Sequence, residues 1–152
     1  MRIVDITNEQ GEVVEPHMLA MAEPVHRQLR PKLPENYPDN MRKLFSTGGR
    51  MIVAVEDEDT VVGVSIYRIY ETTFDGKRLF IDDLVIDEDR RSKGIGKAMM
   101  AHFDALGQRE GCDMMSLESG THRLQTHKFY FREGMVITSF SFRKPIAKTT
   151  TN

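Results

Sequence analysis

Apolar and polar residues alternate over Arg2 to Thr7, the two-residue period of a half-buried strand. Glu12 to Leu29 then carries a helical period, with interruptions expected near Pro16 and Pro24. Pro31, Pro34 and Pro38 mark a loop. A short helix follows from Asp39 to Ser46, with Asn40 or Asp39 as its cap and Gly48-Gly49 as its end. The strand period returns at Arg50 to Glu56 and at Thr60 to Tyr70, joined by the acidic turn Asp57-Glu58-Asp59 as a hairpin. A further turn, Thr72 to Lys77 with Asp75-Gly76, leads into a strand from Arg78 to Ile86. Ile95, Ala98, Met99, His102, Phe103 and Leu106 recur at helical spacing, so Lys97 to Glu110 reads as a helix, stopped by Gly111. Met114 to Ser119 reads as strand and His122 to Arg132 as helix. Met135 to Arg143 reads as a final strand, and a break near Ile137-Thr138 leaves open whether it is one strand or two.

That order predicts a mixed α/β sheet, with an antiparallel meander first and a crossover unit later. The 152 residues suit one domain over 1–145 and a polar tail over 146–152, frayed from Lys148 to Asn152. A formal charge of −2 speaks against a general nucleic-acid binder. No apolar stretch approaches the roughly 20 residues of a membrane span. Met1 to Asn8 has no apolar signal-peptide core, so a cytoplasmic protein is the expectation. The single cysteine, Cys112, excludes an internal disulfide and a cysteine-based metal site. His122 and His127 lie five apart and do not share a helix face, so no metal is expected.

The chemistry concentrates in Leu84-Val85-Ile86-Asp87-Glu88-Asp89-Arg90-Arg91-Ser92-Lys93-Gly94-Ile95-Gly96-Lys97. An apolar strand ends in an acidic turn, and a basic, glycine-containing turn opens a helix. First-turn amides have no partner inside a helix, and the macrodipole makes that end partly positive. Gly94 and Gly96 let a phosphate approach the backbone, and Arg91 and Lys93 add full charge. The dinucleotide fingerprint fails because Met99 stands at its third glycine, and no Gly-Lys-Ser/Thr completes a P-loop. An ordinary helix start with surface charges is the plain alternative.

Arg91-x-x-Gly94-x-Gly96 resembles the acetyl-CoA signature of the GNAT superfamily of N-acetyltransferases, and the element order resembles that fold almost end to end. The resemblance implies acetyl-CoA as co-substrate and a cleft between splayed fourth and fifth strands, here Arg78–Ile86 and Met114–Ser119. The pantetheine arm would pair with the free backbone of Leu84, Val85 and Ile86, and the pyrophosphate would sit on Arg91 to Lys97, including Ser92 and Ile95. Phe129-Tyr130-Phe131-Arg132-Glu133-Gly134 also looks like the family, which implies Tyr130 as the acid that reprotonates the thiolate. Read from its helix alone, Tyr130 is rather a packing residue. Arg123 and Thr126 depart from the usual asparagine and alanine before that tyrosine. The string from Ser119 to Gly134 is nearer the aminoalkylphosphonate N-acetyltransferase type, which hints at a small amine acceptor.

In the family a carboxylate on the fourth strand often deprotonates the amine. Asp82 and Asp83 are adjacent there and should face opposite sides of the sheet unless a bulge intervenes. Glu118 is the reserve. His26 reads as a loop or helix-surface residue, and Arg27, Arg30 and Lys32 as either an anion-attracting cluster or a solvated face. The expected function is transfer of acetyl to a small amine, with protein acetylation or a catalytically idle acyl-CoA module as alternatives. The expected partners are a small-molecule amine and, in some form, a homodimer; nucleic acid and membrane are not expected.

Overall fold

The computed structural model describes residues 1–149, so the far end of the expected tail, 150–152, lies outside the described residues. The chain falls into two units, Met1–Leu117 and Glu118–Asn152.

The first unit contains β1 (Arg2–Asp5), α1 (Pro16–Leu29), α2 (Tyr37–Phe45), β2 (Arg50–Glu56), β3 (Thr60–Thr72), β4 (Gly76–Ile86), α3 (Ile95–Glu110) and β5 (Met114–Leu117). The strands form one sheet in the order β1-β2-β3-β4-β5. All neighbours are antiparallel except β4 and β5, which run parallel. The centres of β2 and β3 are buried on both faces. That burial explains their near-continuous apolar runs, because a covered sheet has no polar face to alternate with. On one face Met51, Val53, Val55, Val64, Ile66 and Val85 pack with Met18, Leu19, Ala22 and Val25 of α1 and with Met41 and Phe45 of α2. On the other, Phe103 of α3 meets Tyr67 edge-on at 5.3 Å between ring centres.

Several element limits differ from the sequence expectation. Glu12 to Glu15 is not helical: Thr7 bridges Val13, and the Val14 amide donates to the Ile6 carbonyl. Pro16 then occupies the first turn of α1, where its missing N–H costs nothing. Pro24 does not interrupt α1, which runs through it to Leu29. The proline is exposed, and the buried stripe on the opposite face holds the helix to the sheet despite the lost hydrogen bond. α2 starts at Tyr37 with Asn36 as its cap residue, so neither Asp39 nor Asn40 takes that place.

The second unit contains α4 (Leu124–Arg132), closed by Gly134 at φ 84°. The Met135 amide donates to the Tyr130 carbonyl, and there the regular structure stops. The expected sixth strand, Met135 to Arg143, is absent in either its one-strand or two-strand form, and β5 ends at Leu117 rather than Ser119. Strand propensity reflects fit to a paired, half-buried surface rather than an intrinsic backbone preference, so alternation alone does not make a strand. Val136, Ile137, Phe140 and Phe142 are exposed.

Candidate functional site

β4 and β5 pair over four residues only, from Arg78 with Met114 to Ile81 with Leu117. β4 runs on to Ile86, still paired with β3 on its other side through Leu84 with Ser65, Val85 with Val64 and Ile86 with Gly63. Among the described residues the β5-side edge of β4 from Asp82 to Ile86 therefore has no partner strand. An extended ligand bearing amide groups could pair there as a missing strand would.

The strand leads directly into a well-anchored turn. The Asp87 amide donates to the Val62 carbonyl at 2.9 Å, and Gln28 of α1 accepts from the Glu88 amide at 2.9 Å. A single 3-10 turn, Glu88–Arg90, follows, and Arg90 Nε donates to Glu56 at 3.1 Å. Beyond it the restraints stop. Arg91, Ser92, Lys93 and Lys97 are exposed, and among the described residues Arg91, Lys93 and Lys97 form no ion pair. Ser92 and Gly94 take positive φ of 64° and 81°. Gly94 caps α3, and the first helical bond runs from the Ala98 amide to the Gly94 carbonyl at 3.0 Å. The Ile95, Gly96 and Lys97 amides thus have no acceptor in the described fold, the ordinary condition of a helix N-terminus and one that suits an anion. Arg91→Ala and Lys93→Ala are expected to weaken binding of a phosphate-bearing ligand, such as the coenzyme expected from the sequence, in a way that fades as salt rises, because exposed charges act on phosphate through screened solvent. Titrations across ionic strength check this; a loss independent of salt would indicate packing instead.

α3 sits unusually close to the sheet beside this turn. A Cβ added at Gly63 of β3 would meet the Met99 sulfur at 2.8 Å and Ile86 Cδ1 at 3.2 Å. A side chain at this position would have to push the Met99 thioether aside.

The two strand carboxylates do not face opposite sides. Ile66 pairs with Asp83 and Tyr67 with Ile81, so Asp82 is the extra residue of a β-bulge. A bulge re-aims the side chains on its strand, and here both carboxylates reach the α1–α2 layer. Asp82 accepts from Arg68 Nε at 2.8 Å, and the same guanidinium donates to the carbonyl of Thr47, just after α2. Asp83 accepts from His26 Nε2 at 2.7 Å and, on its other oxygen, from Arg30 at 2.6 and 2.9 Å. His26 is 1% exposed, which corrects its reading as a surface residue. Because the carboxylate only accepts, His26 Nε2 carries a proton. Its Nδ1 meets the Tyr37 hydroxyl at 2.8 Å. Burial raises the Tyr37 phenol far above its ordinary value, so it keeps its proton. Arg27 is likewise structural, donating to Glu23 and to the Leu33 and Pro34 carbonyls.

Burial opposes ionisation of Asp83, but hydrogen bonds from His26 and Arg30 outweigh it and hold the carboxyl below its usual range. A depressed carboxylate stabilises the fold at pH above its unfolded value near 4 and loses that contribution as pH falls through the lower folded value. Asp83→Ala is expected to cost about 2 kcal/mol at neutral pH, toward the lower end for a broken buried pair because Arg30 is half-exposed. It should also flatten the acid limb of the stability curve. Urea melts of both chains between pH 7 and pH 3 read both effects.

In the second unit Tyr130 lies on α4, its ring 5.3 Å between centres from Phe129. Burial pushes its phenol up to about 12 against the pull of Arg123, so it is a neutral donor at working pH. Glu118 accepts from Ser141 at 3.3 Å. Burial also pushes the Cys112 thiol up, which suits a packing residue rather than a nucleophile. Among the described residues no group of three or more His, Cys, Asp or Glu is arranged to hold a metal ion.

The comparisons with known proteins agree with one another. The model of the acetyltransferase (GNAT) family matches residues 17–135. A Bacillus subtilis (strain 168) protein, the uncharacterized N-acetyltransferase YhdJ, is 29% identical over 125 residues, covering 81% of this chain and 88% of its own. The structure of AAC(6')-Iy with the bisubstrate analogue CoA-S-monomethyl-acetylneamine aligns with a TM-score of 0.75 at 15% identity, covering 95% of this chain and 98% of that one. A ribosomal-protein-alanine N-acetyltransferase from Brucella melitensis biovar Abortus 2308 aligns with a TM-score of 0.75 at 14% identity over 96% of this chain and 100% of that one. At such identities the two structures speak for the fold alone.

Proposed function

This chain belongs to the GNAT family of acetyltransferases, and from that premise we propose that it moves acetyl from acetyl-CoA to the primary amine of a small molecule by direct attack. It is an N-acetyltransferase of unassigned acceptor. The observation that supports the rest is one continuous stretch of chain: the unpaired β4 edge from Asp82 runs through Ile86 into the turn at Arg91 to Lys97 and the start of α3. Leu84, Val85 and Ile86 offer backbone groups to an amide-bearing arm, and Arg91, Ser92, Lys93, Gly94, Ile95, Gly96 and Lys97 offer charge and amides to its phosphates. Acetyl-CoA supplies an activated acyl group on a thiol leaving group; the residues here fit its two ends.

The amine must lose a proton before it attacks. Of the two candidate carboxylates, Asp82 keeps one oxygen uncommitted among the described residues, whereas both oxygens of Asp83 are taken. Asp82, directly or through water, is therefore the preferred base, and Asp83 the residue that shapes the strand beside it. A backbone amide of Leu84–Ile86 can receive the negative charge that develops on the carbonyl oxygen. Tyr130, protonated to high pH, gives its proton to the departing sulfur. The acceptor is the open half of the proposal. The test is thiol release from acetyl-CoA against alkylamines, aminoalkylphosphonates, polyamines, amino acids and peptides. Turnover with a small amine supports the reading; turnover with peptides alone, or binding of acetyl-CoA with no turnover, overturns it.

A further inference from the structure

The last turn of α1, with its cap residue Arg30, touches β4 and its following turn at both ends of the open edge. At the start of that edge, Arg30 donates to the Asp83 carboxylate at 2.6 and 2.9 Å and reaches the Asp82 carbonyl at 3.4 Å. His26, one turn earlier, holds the other Asp83 oxygen at 2.7 Å. At the far end, Gln28 engages the turn after Ile86 with both polar atoms of its amide. Its Oε1 accepts from the Glu88 amide at 2.9 Å, and its Nε2 donates to the Asp87 carboxylate at 3.2 Å. Three residues from one helix end thus bracket the stretch from Asp82 to Ile86.

That stretch needs outside support. A strand paired on one side lacks half of its ladder, and the bulge at Asp82 breaks the register on the side that is paired. From β3, Ser65 Oγ donates to the Asp83 carbonyl at 2.6 Å and ties the bulge down there as well. α1 is a firm reference for the rest, because Met18, Leu19, Ala22 and Val25 fix it in the core. Gln28 itself is exposed, and the Arg30 side chain is 49% exposed. Neither fills the core, yet both are committed to the strand and turn beside them.

We propose that Gln28, Arg30 and His26 are positioning residues for coenzyme binding: the end of α1 sets the spacing between the open β4 edge and the turn at Arg91 to Lys97. The proposal rests on the reading of that edge and that turn as the two halves of an acetyl-CoA site. A ligand held at two places binds best when those places already stand at the right separation, and it loses affinity when either drifts. None of the three side chains has to touch the ligand for this.

Three variants of the full chain test it. Gln28→Met keeps the length and removes both hydrogen bonds. Arg30→Ala removes the ion pair, and Arg30→Lys keeps a cation against Asp83. In calorimetry with CoA, Gln28→Met and Arg30→Ala should each bind about tenfold more weakly than wild type, the loss that one or two hydrogen bonds produce. Arg30→Lys should recover most of that loss, and Gln28→Met should melt like wild type. Without ligand, hydrogen exchange should quicken over Asp87 to Arg90 in Gln28→Met and over Asp82 to Ile86 in Arg30→Ala, with β2 unchanged in both. If wild type binds CoA and the variants bind it equally well, this inference alone is overturned. If wild type does not bind CoA, the acetyl-CoA reading falls and this inference with it. Exchange unchanged in both segments overturns it too, as does weaker binding in Gln28→Met that comes with a general loss of stability.

Discussion

A Gly94→Glu chain is expected to bind acetyl-CoA at least about 100-fold more weakly than wild type while still folding. The reasons separate cleanly. At φ 81° a side chain costs about 1–2 kcal/mol of backbone strain. A Cβ there would meet nothing within 4 Å, so the fold itself has room. What the glutamate would meet is the ligand: its carboxylate lies where phosphate oxygens are to sit, among unpaired amides whose field favours one anion, not two. Gly94→Ala is the control, since it carries the strain without the charge. Calorimetry with acetyl-CoA and a melting curve for each variant decide the matter. If glutamate binds as wild type does, the turn is not a phosphate site.

Tyr130→Phe should lower kcat by roughly ten- to a thousandfold, the range that a positioned general acid supplies, with acetyl-CoA affinity nearly unchanged. The substitution keeps the ring and removes only the proton. Because burial raises the phenol to about 12, the wild-type rate should show no alkaline fall from this group below pH ~10. The Phe variant should depend instead on a thiol poor at leaving without a proton, so its deficit should shrink with a more acidic leaving thiol. Wild-type turnover in the Phe variant would leave water or the amine as the proton source.

The turn at Arg91 to Lys97 and the helix start after it were legible because their signals are local. A strand end, two glycines, two cations and a helical period lie within one stretch, and the structure keeps them contiguous. The buried network around Asp83 was not, since His26, Arg30, Tyr37 and Asp83 meet only through the fold. A trace of it was present: His26 lies seven residues after Leu19 and four after Ala22, on the same stripe of α1 that faces the sheet. A histidine on an apolar stripe needs a buried partner. The bulge at Asp82 had no such trace, because pairing register depends on two strands at once. The missing sixth strand failed for a related reason. Alternation states only that a segment can pair, not that it does.

Gly63 sets how closely α3 can lie on the sheet. α3 is 16 residues long, about 24 Å as a rod, and Met99 stands one turn from its N-terminus. A Cβ at position 63 would press on the Met99 sulfur at 2.8 Å and on Ala54 Cβ and Ile86 Cδ1 at 3.2 Å each. The sulfur lies toward the end of a flexible side chain, so a single methyl asks Met99 for a new rotamer rather than the helix for a new position. A larger side chain has no such outlet between Ala54 and Ile86, and there the helix itself would have to lift. Position 63 is thus a graded dial on the seating of the α3 N-terminus, forgiving for one carbon and unforgiving beyond it.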